Sequence, residues 1–198
     1  IMLTSYMKNK IKKIIIDKEM PNIIITGSPG VGKTTTIKCI ARALYGKYAD
    51  EAVLELNASD DRGIKAVQDT ITLFCKKKLD LNYDEDNSSL NKYAMHKIII
   101  LDEADNMTEK AQAQINILME AFHKTTRFAL TCNSSNKIIE AIQSKCIILN
   151  YTKLTKEQII KKLIYICNIE NISYNSKTLE DIAFISDGDC RTAITNLQ

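Results

Sequence analysis

Short apolar runs alternate with segments of helical spacing through the first 150 residues. Continuous apolar runs are typical of strands buried on both faces of a parallel sheet. Apolar residues three and four apart predict helices between them, so strand and helix alternate. The predicted strands are 22–26, 52–56, 97–101, 127–132 and 146–149, and the predicted helices are 7–16, 34–45, 64–76, 108–122 and 137–143.

The pattern changes after Tyr151, where three helical segments follow one another with no strand between them (156–168, 176–185 and 189–197). Strands alternating with helices, followed by helices alone, predict a parallel α/β domain at residues 1–150 and a small helical lid at 151–198. The Asn-, Asp- and Ser-rich stretch near residues 80–95 predicts an exposed loop.

Composition narrows the class of protein. The chain has 198 residues of which 45% are hydrophobic, enough for a sizeable core, and its net charge of +3 does not by itself indicate nucleic-acid binding. The six cysteines form no C-x-x-C pair, so we interpret them as reduced thiols of an intracellular protein. No apolar run approaches the ~20 residues that span a bilayer, and we expect no membrane partner.

A glycine-rich turn carries the strongest chemical signal. Residues 27–34 read Gly-Ser-Pro-Gly-Val-Gly-Lys-Thr, which fits G-x-x-x-x-G-K-[ST] between a strand and a helix. Glycines let backbone N–H groups turn toward phosphate oxygens, and the helix N-terminus attracts the same anion. Lys33 can reach the β and γ phosphates and Thr34 can bind Mg²⁺, so ATP and Mg²⁺ are the expected cofactors. The alternative is a glycine-rich turn with a chance lysine. The expected nucleotide-binding residues are Ser28, Pro29, Gly30, Val31, Gly32, Lys33, Thr34 and Thr35.

An apolar strand that ends in carboxylates is the second signal. Asp102, Glu103 and Asp105 follow the run 98–101, and ligands of open α/β sheets sit beyond such strand ends. If this strand lies beside the one that precedes the glycine-rich turn, Asp102 faces the metal near Thr34, and Glu103 can orient or deprotonate the attacking water. Asp105 is given only a capping or ion-pairing role. The alternative is a solvated acidic turn.

Residues 102–105 also spell Asp-Glu-Ala-Asp, the motif that names a class of RNA helicases. Such helicases need two RecA-like domains, and these 198 residues have room for one. We therefore rank a helicase far below a single nucleotide-binding domain with a lid.

Several motifs in a fixed order resemble the small subunits of eukaryotic replication factor C, an AAA+ clamp loader. They are the glycine-rich turn with its strand, Leu-Glu-Leu-Asn-Ala-Ser-Asp-Asp-Arg-Gly-Ile at 54–64, the acidic motif at 97–105, Lys-Thr-Thr-Arg-Phe-Ala-Leu-Thr-Cys-Asn at 124–133 and Gly-Asp-Cys-Arg at 188–191. The resemblance implies a RecA-like AAA+ core, ATP hydrolysis, a hetero-pentamer, and loading of the sliding clamp (PCNA) onto primer–template DNA in the nucleus.

The resemblance also implies roles for single residues. Asn133 matches sensor 1, which hydrogen-bonds the attacking water or the γ-phosphate, and Arg191 matches sensor 2 in the lid. Lys145 stands where the family has a trans-acting arginine, and lysine lacks the planar fork of arginine. An ordinary exposed lysine carries equal weight there.

Two further implications concern surfaces. Arg62 and Lys65 match a helix start that follows the DNA phosphate backbone, and a capped helix with solvated charges is the alternative. The family has paired arginines before its Met-Glu, whereas this chain has Asn116, Ile117 and Leu118. The family also has a C-terminal collar domain that these residues do not include, so we expect a truncated chain.

Two other functions remain open. A non-hydrolysing, ATP-sensing structural subunit of the same complex is compatible with Lys145. Another AAA+ DNA-remodelling ATPase, such as a Holliday-junction branch-migration motor, would carry a β-hairpin insertion and a winged-helix domain, and neither is visible in the sequence.

Overall fold

A computed structural model describes residues 5–58, 64–79 and 93–198, with the side chains of Ser5, Ile64 and Lys65 left out. Its centre is a five-stranded sheet in the order β2-β3-β4-β1-β5, and every neighbouring pair is parallel. The strands are β1 (Ile23–Gly27), β2 (Val53–Asn57), β3 (Lys97–Asp102), β4 (Thr126–Cys132) and β5 (Ile147–Tyr151).

The helices connect the strands and then continue alone after β5, as the pattern predicts. The helices are α1 (Ser5–Asp17), α2 (Lys33–Tyr45), α3 (Ala49–Ala52), α4 (Ile64–Lys76), α5 (Glu109–Ala121), α6 (Glu140–Gln143), α7 (Lys156–Glu170), α8 (Ser176–Ile185) and α9 (Cys190–Leu197). Two of these helices, α4 and α8, have the predicted bounds.

Strand order corrects one condition of the sequence analysis. The strand with the acidic end, β3, does not lie beside β1, because β4 lies between them. In the register, Ile23 of β1 pairs with Ala129 of β4, and Ala129 pairs with Ile100 of β3. The carboxyl end of β4 therefore lies between the glycine-rich turn and the acidic motif.

Alternating side chains of the sheet fill two apolar clusters. Ile23 and Ile25 of β1 belong to a cluster with α1 and α2, while Ile24 belongs to a cluster with α4 and α5. This alternation follows from the two-residue period of a strand. It makes a sheet covered by helices on both faces, which explains the continuous apolar runs of β1 and β3.

The last three helices enclose an apolar cluster of their own. Its centre includes Ile159, Leu163 and Cys167 of α7, Leu179 of α8 and Ala193 of α9. Helix α7 begins at a capping box, in which Thr155 accepts a hydrogen bond from the N–H of Gln158. The proposed boundary between core and lid near residue 150 stays a prediction.

Helix ends account for some of the differences from the predicted bounds. The last helix begins at Cys190, one residue later than predicted, because the Asp189 carboxylate caps it. Thr108 caps α5 as predicted. No helix of the described ranges has the length and apolar character required to cross a membrane.

Candidate nucleotide site

The glycine-rich turn joins β1 to α2 at the carboxyl edge of the sheet. Gly30 and Gly32 have φ of +67° and +93°, the left-handed region that favours glycine. The Lys33 ammonium donates to the carbonyls of Gly27 at 2.6 Å and Ser28 at 3.0 Å, and to Asn133 Oδ1 at 3.1 Å. Partial burial lowers the pKa of Lys33, and nearby acidic groups oppose this effect. The positively charged ammonium of Lys33 thus lies at the turn and donates hydrogen bonds to three oxygen atoms.

Thr34 and Asp102 face each other across the site. The Thr34 hydroxyl lies 3.0 Å from Oδ1 and 3.1 Å from Oδ2 of Asp102. One hydroxyl oxygen and one carboxylate are hard oxygen donors, and Mg²⁺ prefers such ligands when phosphates complete its coordination. The two side chains therefore fit the predicted metal site, although β3 is not adjacent to β1.

Glu103 lies at the sharp turn after β3. Its backbone is left-handed, with φ 55° and ψ 41°, and its carboxylate accepts a hydrogen bond from Asn106 Nδ2 at 3.2 Å. Its side chain lines the same cavity as Thr34 and is solvent-accessible. An exposed carboxylate near the metal position suits the predicted contact with water.

Asp105 has a contact that the sequence did not assign. Its Oδ2 accepts the backbone N–H of Asn133 at 3.2 Å, and its Oδ1 is buried with no hydrogen-bond partner among the described residues. The carbonyl of Asn133 accepts from the Thr26 hydroxyl at 3.4 Å. Two side chains thus hold the backbone of the predicted sensor 1 residue.

Helix α9 brings Arg191 to the glycine-rich turn. The Cys190 N–H donates to the Gly30 carbonyl at 3.3 Å, and the Asp189 carboxylate accepts the N–H groups of Arg191 at 2.8 Å and Thr192 at 3.1 Å. Arg191 is exposed and lines the cavity. A cation on the last helix therefore lies across from the turn.

These residues surround a cavity of about 120 Å³. Most of the predicted nucleotide and metal residues line it, while Ser28 contributes its carbonyl to Lys33 and Val31 is buried in the core. The lining residues are Pro29, Gly30, Gly32, Lys33, Thr34, Thr35, Asp102, Glu103, Thr131, Cys132, Asn133 and Arg191.

Lys145 is not a lining residue of this cavity. Its ammonium donates to Asn116 Oδ1 at 2.5 Å and forms an ion pair with Glu120. This ion pair lowers the pKa of Glu120. Lys145 and Asn116, the positions at which the sequence predicts departures from the family pattern, are thus in contact with each other.

The predicted DNA contacts fall at the limit of the described chain. Arg62 lies outside the described residues. Lys65 lies in the first turn of α4, but its side chain is not among those described. Their contact with a DNA backbone stays a prediction.

Sequence reasoning missed Thr131 and Asn106. Thr131 is 1% exposed, and its hydroxyl donates to Asp102 Oδ1 and accepts the Glu103 N–H at 3.2 Å. Asn106 holds the Glu103 carboxylate. The signal for Thr131 is a polar residue two before Asn133 in an apolar strand, and the signal for Asn106 is its spacing of three from Glu103.

Comparison with known proteins identifies the family of the chain. A family profile described as "ATPase family associated with various cellular activities (AAA)" matches residues 23–154. That range contains the whole sheet, the glycine-rich turn and the acidic motif. The chain belongs to the AAA family of ATPases, whose members bind nucleotide.

Curated relatives narrow the comparison. The chain is 47% identical over 190 residues to replication factor C subunit 4 of Saccharomyces cerevisiae, covering 96% of this chain and 56% of that protein. It is 43% identical over 198 residues to a putative replication factor C small subunit of Acanthamoeba polyphaga mimivirus, covering 100% and 58%. The chain spans about half the length of these relatives.

Solved structures support the fold. The RuvB Holliday junction branch migration motor of Thermotoga maritima superposes with a TM-score of 0.71 over 98% of this chain and 60% of that chain. Its sequence identity is 15%, so the likeness concerns the fold alone.

Proposed function

We propose that this chain is an ATP-binding and ATP-hydrolysing subunit of a replication factor C clamp loader. The observation that carries the proposal is the meeting of Lys33, the Thr34–Asp102 pair and Asn133 at one edge of the sheet. Lysine, hydroxyl, carboxylate and amide are the groups that phosphoryl transfer to water requires. Relatives named replication factor C small subunits support the assignment to a clamp loader.

Each residue takes a role that its position allows. The backbone N–H groups of the turn (all of 28–35 except Pro29, which has none) and the Lys33 ammonium hold the phosphates of ATP. Thr34 and Asp102 hold Mg²⁺, which neutralises phosphate charge when bound. Glu103 orients or deprotonates the attacking water, and Asn133 hydrogen-bonds that water or the γ-phosphate. Arg191 contacts the γ-phosphate from the last helix, which makes the position of that helix sensitive to ATP.

The partners follow from the relatives' names and are part of the same proposal. They are the other replication factor C subunits in a hetero-pentamer, a sliding clamp, and primer–template DNA contacted through its backbone by Arg62 and Lys65. Relatives from yeasts and plants support a nuclear location.

One contact favours a second candidate, an ATP-sensing subunit that hydrolyses little ATP. The ammonium of Lys145 is bonded to Asn116 and Glu120 of its own chain. A lysine in an ion pair is less free to stabilise the transition state in a neighbouring subunit. Under this candidate nucleotide binding is kept and turnover is negligible.

Two variants test the proposal and separate it from the second candidate. Lys33→Ala should weaken Mg²⁺-dependent ATP binding by at least about tenfold because a charge-assisted contact to phosphate is lost. Glu103→Gln should leave binding intact and lower hydrolysis about 10²-fold or more, within the usual range for a general base. Binding is measured by titration calorimetry and hydrolysis in the assembled complex.

The outcomes differ between the candidates. A hydrolysis rate unchanged by Glu103→Gln, with binding still sensitive to Lys33→Ala, supports the sensing subunit. A folded wild-type chain with no Mg²⁺-dependent affinity for adenine nucleotides excludes both.

A further inference from the structure

Thr131 uses both hydrogen-bonding capacities of its hydroxyl inside the candidate site. The residue is 1% exposed and is the next-to-last residue of β4. Its Oγ1 donates to Asp102 Oδ1 and accepts the backbone N–H of Glu103 at 3.2 Å. A hydroxyl has one donor, so these contacts fix where its hydrogen points.

The first contact acts on the metal-side carboxylate. Thr34 approaches both Asp102 oxygens, at 3.0 and 3.1 Å, and does not distinguish them. Thr131 bonds to Oδ1 alone. Thr131 belongs to the buried strand β4, which lies between β3 and β1, so its hydroxyl holds Oδ1 from a fixed position in the sheet. Groups that orient a metal ligand in this way tune metal affinity without touching the metal.

The second contact acts on the turn that carries Glu103. This residue has φ 55°, a conformation that residues with a Cβ disfavour. A hydrogen bond from its N–H to a buried hydroxyl stabilises the turn, since a buried N–H without an acceptor is costly. The direction in which the Glu103 side chain leaves the strand therefore depends on Thr131.

We propose that Thr131 is a positioning residue that couples the metal ligand Asp102 to the orientation of Glu103. This inference rests on the proposed function, because it concerns the same Mg²⁺ and water positions. In this role Thr131 acts through Asp102 and Glu103, to which its hydroxyl is bonded. One hydroxyl of the middle strand β4 bonds to both Asp102 and Glu103. Metal binding by Asp102 and the placement of the Glu103 carboxylate are therefore set together.

Thr131→Val tests the inference with little change of shape. Valine keeps the β-branched form that a strand accommodates and removes the hydroxyl. We expect the Mg²⁺ concentration that gives half of the maximal nucleotide affinity to rise about tenfold. We also expect the Glu103 amide hydrogen to exchange faster with solvent in the chain measured without nucleotide. Thr131→Ser keeps the hydroxyl and should restore both values.

The matched control lies on the same strand. Thr126 is also 1% exposed and begins β4 at the end remote from the site. Thr126→Val removes a buried hydroxyl of the same strand and should change neither the Mg²⁺ requirement nor the exchange of the Glu103 amide. If Thr131→Val does not fold by circular dichroism, Thr131→Ala with Thr126→Ala gives the same comparison.

Three results would overturn the inference. They are a Thr131→Val variant with the wild-type Mg²⁺ requirement and wild-type Glu103 exchange, a Thr131→Ser variant that restores neither, and a Thr126→Val variant that reproduces the defect. A wild-type chain that binds nucleotide without regard to Mg²⁺ overturns the proposed function as well, whereas a normal wild type beside an unaffected Thr131→Val overturns only the inference.

Discussion

At the scale of single residues, burial changes the pKa of a polar side chain, as it does at His96. His96 is 6% exposed, and its Nε2 has no hydrogen-bond partner among the described residues. Burial lowers the pKa of His96 to about 4, and the charge of Arg127 adds to this effect. The folded protein therefore holds this imidazole neutral across the mildly acidic range.

The pKa of His96 predicts how stability depends on pH. In the unfolded chain His96 titrates near 6.5, so between pH 6.5 and about 4 the unfolded state binds a proton that the folded state does not. The contribution of the neutral, buried His96 to the free energy of unfolding is complete above pH 6.5 and is lost as pH falls toward 4. It amounts to about 3 kcal/mol, since each pH unit between the two pKa values is worth about 1.4 kcal/mol.

Denaturant titrations at several pH values measure this dependence. His96→Gln should flatten the pH profile of the unfolding free energy between pH 4 and 6.5. The exposed His123 serves as control, and His123→Gln should leave the slope unchanged. If the unfolding free energy changed equally with pH in wild type and in His96→Gln, this would contradict the lowered pKa of His96.

Some residues of the site could be predicted from the sequence, and the reasons are local. Lys33, Thr34 and Asp102 belong to contiguous motifs, and the structure brings all three together. Thr131 and Asn106 were missed, because each carries only a weak local signal and its role depends on contacts to Asp102 and Glu103 that the folded turn creates. Lys145 was recognised by its position, but its ion pair with Glu120 joins segments 25 residues apart.

At the scale of elements, polar side chains satisfy the free backbone groups at helix ends. Lys97, which begins β3, is 4% exposed, and its ammonium donates to the carbonyls of Phe74, Cys75 and Lys77 at the end of α4. A cation at a helix C-terminus satisfies the unpaired carbonyls there. The Asp189 carboxylate accepts the free N–H groups at the start of α9, and it lies directly against Gly30.

Gly30→Ala is predicted to disturb both the turn and the last helix. An added Cβ would lie 1.7 Å from Asp189 Oδ1, the oxygen that caps α9, and φ at Gly30 is +67°. We expect a loss of about 1–3 kcal/mol of stability from the backbone strain and about tenfold weaker ATP binding because the carboxylate and the N–H groups must move.

Gly46→Ala separates the two effects. Gly46 also has a positive φ of +54°, and its added Cβ would meet Tyr93 at 3.3 Å, away from the site. This variant should lose stability and keep its ATP affinity. Calorimetry with ATP and Mg²⁺ measures the difference, and an equal loss of affinity in both variants would refute the contact with α9.

The fold was largely predictable at the level of elements but not of their order in space. Apolar runs and helical spacing gave each strand of the sheet within about two residues, because burial and period are local properties. The order β2-β3-β4-β1-β5 depends on pairing between distant segments, and for this reason the sequence alone does not predict which strand lies beside β1. The short helix α3 was missed because four residues carry too little periodicity.

At the scale of the whole molecule, the apolar cluster of the last three helices is distinct from the two clusters that flank the sheet. Polar contacts connect the two parts, among them the hydrogen bond from the Cys190 N–H to the Gly30 carbonyl. A ligand held at the glycine-rich turn and by Arg191 at once would strengthen this connection. Its binding should therefore stabilise the whole chain and not only the turn.

Arg191→Ala is predicted to reduce the stabilisation by ATP more than that by ADP. At a hundred times its dissociation constant a ligand adds about 2.7 kcal/mol of stability, and loss of the guanidinium contact to the γ-phosphate should weaken ATP binding about tenfold. Thermal unfolding with saturating ATP or ADP and Mg²⁺ measures the effect. Lys161→Ala removes the same charge from the exposed surface of α7 and should change neither value.

The position of β4 limits which insertions and deletions this strand can accept. The hydroxyl of Thr131 donates a hydrogen bond to Asp102 on the neighbouring strand β3. Two residues later, Asn133 accepts a hydrogen bond from Lys33, which follows the other neighbouring strand, β1. Side chains alternate along a strand, so deleting or inserting one codon within β4 would turn both groups to the opposite face of the sheet. A change in the length of β4 by a single residue would therefore disconnect the acidic motif from the phosphate-binding turn.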